Sequence, residues 1–523
     1  MPKTAQSDMI VSRRSVLVKG AVIGAGLLAG NTSALRALAV AQPPLRRPLH
    51  DLAWNDPVVA TLRDAVGLLK RASRRDRLSW VGLAGIHGAN TDDYRFCPHG
   101  NWYFLPWHRA YISIYERLIR DLTANPEFAL PYWDWTNQPK IPEVFISPKT
   151  SDGKTNWLYV NDRAFGQKWL RSWPPNRPLP SRVVGPAVLR EILETRNYEE
   201  FGSGRPRGQD NLDQSWMFKH NGLHGALEKT PHNLLHIKIG GWMPSPLAPR
   251  DPLFLVHHCN VDRIWALWNA LGNTNSADFL WNEMTFSGQF INPDRTPYAP
   301  KVFDLVVPEM LGYSYGLAQP PPVSNSSVLA IESKLTPSPA ILAAADVRRV
   351  KAYTMTPAIV GTAERPLGID FAVGAALIDA VAKCESNPST ARLLSAPSGW
   401  NPKEVRALAL LRDVAVSNPR ETEYRIFLDH PGLSSQTPVN DPHFVGSFGT
   451  FEHGRRGTLC EDRERDNPSF LLDLTAVIRR LYGNRPPLGD TITLQLAPVP
   501  ARPDVGSPGI IKPNRIELMF VAS

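Results

Sequence analysis

Residues 231–241, P-H-N-L-L-H-I-K-I-G-G, and residues 251–262, D-P-L-F-L-V-H-H-C-N-V-D, decide the reading of this chain. In a helical P-H-N-L-L-H, His232 and His236 stand four residues apart and their imidazoles leave from one face, as two ligands of one metal ion must. In the second segment Asp251 is placed as an N-cap and Pro252 as the first helical residue. A helix starting there carries His257 or His258 back towards the first pair. Three imidazoles then converge. A histidine pair at this spacing also arises as one core and one surface residue, so a second cluster upstream is what gives the pattern weight.

That cluster begins at V-G-L-A-G-I-H-G-A-N, residues 81–90, which presents His87 beside a Gly-rich turn. It continues in F-C-P-H-G-N-W-Y-F-L-P-W-H-R-A-Y-I-S-I-Y-E-R-L-I-R, residues 96–120. Pro106 is placed as a helix start, and Tyr111, Tyr115, Leu118 and Ile119 give that helix an apolar face. His108 falls in its first turn, with His99 in the loop before it. His87, His99 and His108 form a second set of three, with no Cys or carboxylate at competing ligand spacing. All-imidazole coordination suits copper, zinc, iron or nickel, and copper leads on affinity. Structural zinc usually brings thiolates, and mononuclear catalytic zinc keeps three ligands and a water, so two three-histidine sets argue for a metal pair.

Length and charge bound the rest. At 523 residues the chain is too long for one ordinary core, and 49 prolines point to much irregular structure. The net charge of +9 is scattered without a long Lys/Arg block, which excludes nucleic acid as the reason for it. Residues 12–19, S-R-R-S-V-L-V-K, precede a small, apolar run to Leu35 and an Ala39-Val40-Ala41 cleavage site. This pattern reads as a Tat export signal over residues 1–41, giving a periplasmic or secreted protein with no membrane span after cleavage. An export route for folded proteins suits one that carries metal. Of four cysteines, Cys97 and Cys259 lie beside the histidines and are not expected to pair with each other; Cys384 and Cys460 lie further on. Asp56 in D-P-V-V-A-T-L-R-D-A-V-G-L-L-K caps an expected core helix.

The motifs C-P-H-G-N-W-Y-F-L-P-W-H-R-A-Y (97–111), L-P-Y-W-D-W (130–135), P-H-N-L-L-H (231–236) and D-P-L-F-L-V-H-H-C-N-V-D-R-I-W (251–265) stand in the order found in one group of proteins. The chain resembles the tyrosinase, catechol oxidase and haemocyanin group of type-3 dicopper proteins. The resemblance implies a mainly α copper domain over 42–318, with a four-helix bundle core holding two copper ions. One copper falls to His87, His99 and His108, the other to His232, His236 and His258, with His257 outside the ligand set. F-D-L-V-V-P-E-M-L-G-Y-S-Y near residue 310 is similar to the end of the copper domain in plant-type polyphenol oxidases. There Tyr313 and Tyr315 would meet Arg46 or Arg47 at its start.

Pro320-Pro321-Pro322-V-S-N-S-S reads as part of a linker over 319–345. Beyond it R-R-V-K-A-Y-T-M, Y-R-I-F-L-D, T-I-T-L-Q-L and I-E-L-M-F-V alternate as half-buried strands, so residues 346–523 read as a β-rich domain. Residues 365–415 read partly as helices, A-V-G-A-A-L-I-D-A-V-A-K most clearly. H-F-V-G-S-F-G-T-F-E (443–452) resembles the sandwich-like C-terminal domain that shields the site in polyphenol oxidases.

Two copper ions about 3.5–4 Å apart can bind O2 between them. The resemblance implies oxidation of small phenols and catechols: hydroxylation of monophenols and oxidation of o-diphenols to o-quinones. Alternatives are catechol oxidation alone and haemocyanin-like oxygen binding. Glu228 and Asn233 match the family's pair that holds a water as base, and a base matters most for hydroxylation. Asp134 and Asp262 are candidate acceptors for the free ring nitrogens. Cys97 and His99 match the C-x-H of fungal tyrosinases whose cysteine is bonded to the copper-binding histidine; a plain thiol or a disulfide are the other readings.

Overall fold

Helix α1 (Pro57–Arg71) starts as its sequence directs: the Asp56 carboxylate accepts from the Val58 N–H and Pro57 takes the first position. Val59, Leu62, Val66 and Leu69 recur every three or four residues and are buried together. α2 (Trp80–His87) is capped by the Ser79 hydroxyl, which accepts from the Gly82 N–H, and ends on His87 itself. α3 (Phe104–Thr123) begins two residues before Pro106. A proline is tolerated there because the N–H groups of the first turn have no intrahelical acceptor. Tyr111, Tyr115, Leu118 and Ile119 line its buried face as expected.

P-H-N-L-L-H is not one regular helix. Glu228–Asn233 make a wider, π-type turn interrupted by an extended Thr230 (φ −157°, ψ 117°), and α4 (Leu234–Ile239) follows. The two histidines nevertheless meet, at 4.6 Å between ring centroids. α5 (Leu253–Ala270) starts one residue later than expected: Pro252 is its N-cap, and the Asp251 carboxylate just ahead of it accepts from the Leu253 N–H.

This computed structural model describes residues 42–90, 93–161, 173–316, 348–383, 405–450, 467–484, 489–502 and 505–522. The expected export signal and linker, with Cys384 and Cys460, lie outside the described residues. Among the described residues no helix is long and apolar enough to cross a membrane.

The C-terminal region is β-containing. Its strands are β1 (Arg348–Met355), β2 (Leu367–Ala372), β3 (Val405–Val416), β4 (Thr422–Leu428), β5 (Phe444–Phe448), β6 (Ser469–Asp473), β7 (Thr491–Pro500) and β8 (Ile511–Ala522), with helices α6 (Ala375–Lys383) and α7 (Thr475–Tyr482) between them. One sheet runs β5-β4-β7-β2; the other runs β6-β3-β8-β1, and the two share one apolar core. The four alternating segments are all strands. Of the stretch expected to be partly helical, Ala375–Lys383 is a helix, whereas Val405–Val416 is a strand. Pairing with β6 on one side and β8 on the other overrides the helix propensity of its Ala and Leu residues.

The copper-motif half adds a strand of its own. Leu223–His224 pairs in parallel with Ser469 and Phe470 at the edge of β6. A buried acid also joins the halves: Glu423 on β4 accepts from Lys238 at 2.7 Å and from Arg182 through two bonds of 3.1 and 2.9 Å.

At the other end of the helical region Arg46, not Arg47, meets the two tyrosines. Its guanidinium lies 3.4 Å over the Tyr313 ring and donates to the Tyr315 hydroxyl, Glu116 and Asp262. Arg47 is a surface residue paired with Asp56.

Candidate metal centre

The histidines come from the end of α2, the loop before α3, α3 itself, the π-type turn leading into α4, α4 and α5. His87, His99 and His108 form a nearly equilateral triangle, with ring centroids 5.7, 5.8 and 5.6 Å apart. Against expectation a thiol does compete here: Cys97 lies within ligand reach of the same three, because the short 97–99 loop folds back over the set. In the second set His232, His236, His257 and His258 converge. All eight residues are buried.

The ring nitrogens show what this arrangement can hold. His87 Nδ1 lies 2.5 Å from the Pro246 carbonyl, His108 Nδ1 2.8 Å from that of Phe104 and His236 Nδ1 2.7 Å from that of Met243. A carbonyl can only accept, so each Nδ1 carries the proton and each Nε2 is a bare lone pair. The Nε2 atoms of His232 and His236 stand 3.4 and 3.3 Å from His258 Nε2. His236 Nε2 is a lone pair, and three ring nitrogens converging this closely are the donor set a cation needs. A tetrahedral site with metal–imidazole bonds of about 2.0–2.1 Å has edges of roughly 3.3–3.4 Å. The second set fits a metal ion by this measure.

Burial drives every imidazole towards its neutral form: His87 falls to about 4, His236 to about 3, and His99, His108, His232 and His258 drop well below 6.5 as neighbouring imidazoles add to the cost of charge. Neutral imidazole is the ligand form. Two sets of histidines, His87, His99 and His108 and His232, His236 and His258, could thus hold two metal ions. His258 stacks on His108 at 4.4 Å and 11°, which brings the two sets face to face. His257 packs between Trp135 and His236, and among the described residues neither of its ring nitrogens has a hydrogen-bond partner.

Asp134 and Asp262 do not serve the histidines. Asp134 accepts from the Thr136 and Asn137 N–H groups and the Asn137 amide, and so closes a turn. Asp262 accepts from Arg109 at 2.5 Å, from Arg46 and from the hydroxyls of Tyr313 and Tyr315. Burial opposes its charge, yet Arg109 and Arg46 hold its carboxyl below the usual range. It is deep enough to look like a histidine partner, but its neighbours are arginines. The acceptors for His87, His108 and His236 are backbone carbonyls, which carry no sequence signature.

Glu228 is fully buried, and both its oxygens accept from the N–H of Gly100, the residue after His99, at 2.8 and 3.1 Å. The Ser203 hydroxyl donates to it as well. Burial raises its carboxyl to about 8 against the pull of these hydrogen bonds. Asn233 is engaged on every side: Oδ1 lies 2.8 Å from His232 Nδ1, and Nδ2 lies 3.1 Å from His224 Nδ1 and 3.0 Å from the Gly449 carbonyl. Gly449 follows β5, so the C-terminal region touches the site directly. Gly100 has φ +57°, and a Cβ there would lie 2.6 Å from His224 Nε2, so only glycine fits. His224 was missed from the sequence, where a lone histidine in G-L-H-G-A has nothing to mark it.

Cys97 and Cys259 are free thiols, both buried. Cys97 Sγ lies 3.7 and 3.6 Å from the two nitrogens of His99 and 3.3 Å from His108 Nε2, against the rim of the first set. Burial pushes its pKa well above the ordinary thiol value.

Residues 77–271 match the family model of the common central domain of tyrosinase. The chain is 26% identical over 499 residues to a tyrosinase of Hahella sp. (strain CCB-MM4), covering 87% of this chain and 95% of that one. It is 30% identical over 300 residues to the chloroplastic polyphenol oxidase of Vitis vinifera, covering 52% of this chain and 47% of the other, so it spans about half the length of that plant relative. Among solved structures its fold is like that of a recombinantly expressed latent aurone synthase (polyphenol oxidase), with a TM-score of 0.60 at 19% identity over 91% of this chain and 89% of that one. It is also like latent apple tyrosinase, with a TM-score of 0.59 at 21% identity over 92% and 98%.

Proposed function

From a chain whose residues 77–271 match the common central domain of tyrosinase, we propose an enzyme that hydroxylates small monophenols with O2 and oxidises the resulting o-diphenols to o-quinones. His87, His99 and His108 hold one copper and His232, His236 and His258 the other, with His87, His108 and His236 binding through Nε2 because their Nδ1 atoms donate to carbonyls. When bound, the copper pair supplies O2 binding and the electron transfer of the reaction. The protein keeps six imidazoles neutral, fixes the tautomers of His87, His108 and His236 through carbonyl acceptors and meets His232 with the Asn233 amide, and walls the site with Phe254, which packs on His258 and His87.

The observation that carries hydroxylation is Glu228. A monophenol must lose its proton before its oxygen can engage a metal, and Glu228 is the buried carboxyl at the rim of the first set. Its Gly100 and Ser203 bonds leave lone pairs to spare. Burial raises its pKa while neighbouring dications lower it, which favours proton exchange near neutral pH. Asn233, bonded to His232, orients that ligand beside it.

Three further readings accompany this one. The C-terminal region shields the site, a role supported by the contacts of Gly449 and Glu423 with the copper-motif half. Cys97 forms a thioether to a ring carbon of His99, the S–H and C–H bonds being lost with two electrons that O2 would take up, a reading its place beside both ring nitrogens supports. Residues 1–41 direct export through the Tat route.

The test is a paired oxygen-consumption assay of the copper-loaded chain on a monophenol and its o-diphenol, with wild type and Glu228→Gln. The variant is expected to lose about 10²–10⁴-fold in monophenol turnover while keeping diphenol oxidation. Equal losses on both substrates would give Glu228 a structural role. A wild type active on catechol alone would be a catechol oxidase, and one active on neither an oxygen binder.

A further inference from the structure

The Asn233 side chain lies between two histidines of different duty: His232, a ligand of the second set, and His224, which belongs to neither set. Resting on the copper reading above, we propose that His224 is a positioning residue that fixes the orientation of the Asn233 amide and, through it, the His232 ring.

Each protonation state along this chain of hydrogen bonds decides the next. For Nε2 of His232 to bind metal, Nδ1 must hold the proton, so it donates to Asn233 Oδ1 at 2.8 Å. That turns Nδ2 to the far side, where its two hydrogens go to His224 Nδ1 at 3.1 Å and the Gly449 carbonyl at 3.0 Å. His224 must therefore present a lone pair at Nδ1 and carry its one proton on Nε2. Amide orientation is not visible from atom positions alone, but here the ligand at one end dictates it. Burial, with His220 and Lys229 nearby, lowers His224 to about 3 and keeps it neutral. A proton on Nδ1 would set two donors against each other. Flipping the amide would relieve that clash and leave His232 Nδ1 facing an N–H.

The His224 ring is confined. It is 3% exposed, packs on Phe470 at 5.1 Å, and has Gly100 against Nε2. Its backbone bridges to Ser203 on one side and Phe470 on the other. Glu228 Oε2 is 3.9 Å from Nδ1, too far for a hydrogen bond, so Asn233 is the partner.

The experiment measures copper retention by the full-length copper-loaded chain against a competing chelator. His224→Leu removes the acceptor and is expected to weaken retention of one of the two coppers about 10–100-fold, the usual effect of losing an outer partner of a metal ligand. His224→Asn places an amide oxygen near the former Nδ1 and should recover most of the loss. If His224 acts through Asn233, then His224→Leu added to Asn233→Ala costs nothing further. Additive losses, or a His224→Leu chain that holds both coppers like wild type, overturn the proposal. Should the leucine variant fail to fold, His224→Phe keeps a ring against Phe470 and carries the same expectation. A wild type that holds two coppers but oxidises no phenol sinks the enzymatic reading and leaves this one standing. A wild type that retains no copper sinks both.

Discussion

Replacing Glu423 by Gln should loosen the C-terminal region from the helical one. The Glu423 side chain is wholly buried and is shared by three cations: Lys238, Arg182 and, at 3.7 Å, Arg425. Burial alone would raise its pKa, but Lys238, Arg182 and Arg425 together hold it far below the ordinary value. Lys238 has only a share of one acid, so burial wins and its pKa is lowered. The acid is thus firmly held while each cation depends on it. Glutamine keeps the volume and leaves the Lys238 ammonium, 2% exposed, with the Ala501 carbonyl and two guanidiniums close by. Breaking a buried pair from one side costs about 3–5 kcal/mol. At about 1.4 kcal/mol per tenfold, the undocked population rises roughly a hundred- to several-thousand-fold. Limited proteolysis and urea unfolding of the full chain would read this. Adding Lys238→Met to Glu423→Gln should recover part of the loss by removing the stranded cation. A carboxyl depressed in the folded state contributes stability above its unfolded pKa of about 4.3, and that contribution fades as pH falls towards the folded value. Wild type should therefore show an acid-dependent loss of docking that Glu423→Gln lacks. A variant within about 0.5 kcal/mol of wild type at neutral pH, where surface changes usually fall, and cleaved at the same rate, would refute the reasoning.

Replacing any of His87, His99, His108, His232, His236 or His258 by Ala should cost copper in a metal analysis, whereas His257→Ala should keep both ions; the reverse result at 257 and 258 would exchange their roles. Cleavage within residues 317–347 followed by removal of the C-terminal region should raise turnover of bulky phenols more than of small ones. A trimmed, folded chain no more active than the whole would end the shielding reading.

Side-chain spacing proved easier to read than backbone form. His232 and His236 meet as expected although a π-type turn replaces the first helical turn, because the register at 234–236 and the position of His232 satisfy the same geometry. Asp56 caps its helix because capping is decided within three residues, whereas Asp251 stands one residue ahead of the cap position it was expected to fill. Arg46 and Arg47 were indistinguishable in sequence, since only the packing of Tyr313 and Tyr315 selects between them. Asp262 misled because a buried acid in a histidine-rich helix resembles a ligand's partner until Arg109 and Arg46 are seen around it. The Glu423 cluster and the His224–Asn233 contact were not legible. Lys238 and Arg182 lie 185 and 241 residues from Glu423 in the chain, and pairings at that separation leave no local pattern.

The parallel pairing of Leu223–His224 with Ser469 and Phe470 means that the helical half plugs a sheet edge belonging to the other half. If the C-terminal region is released, Ser469 and Phe470 lose that neighbour and their N–H and C=O groups become an open template for another chain. Rebinding then competes with any other strand that reaches this edge, so release costs the fragment its protected edge as well as its partner.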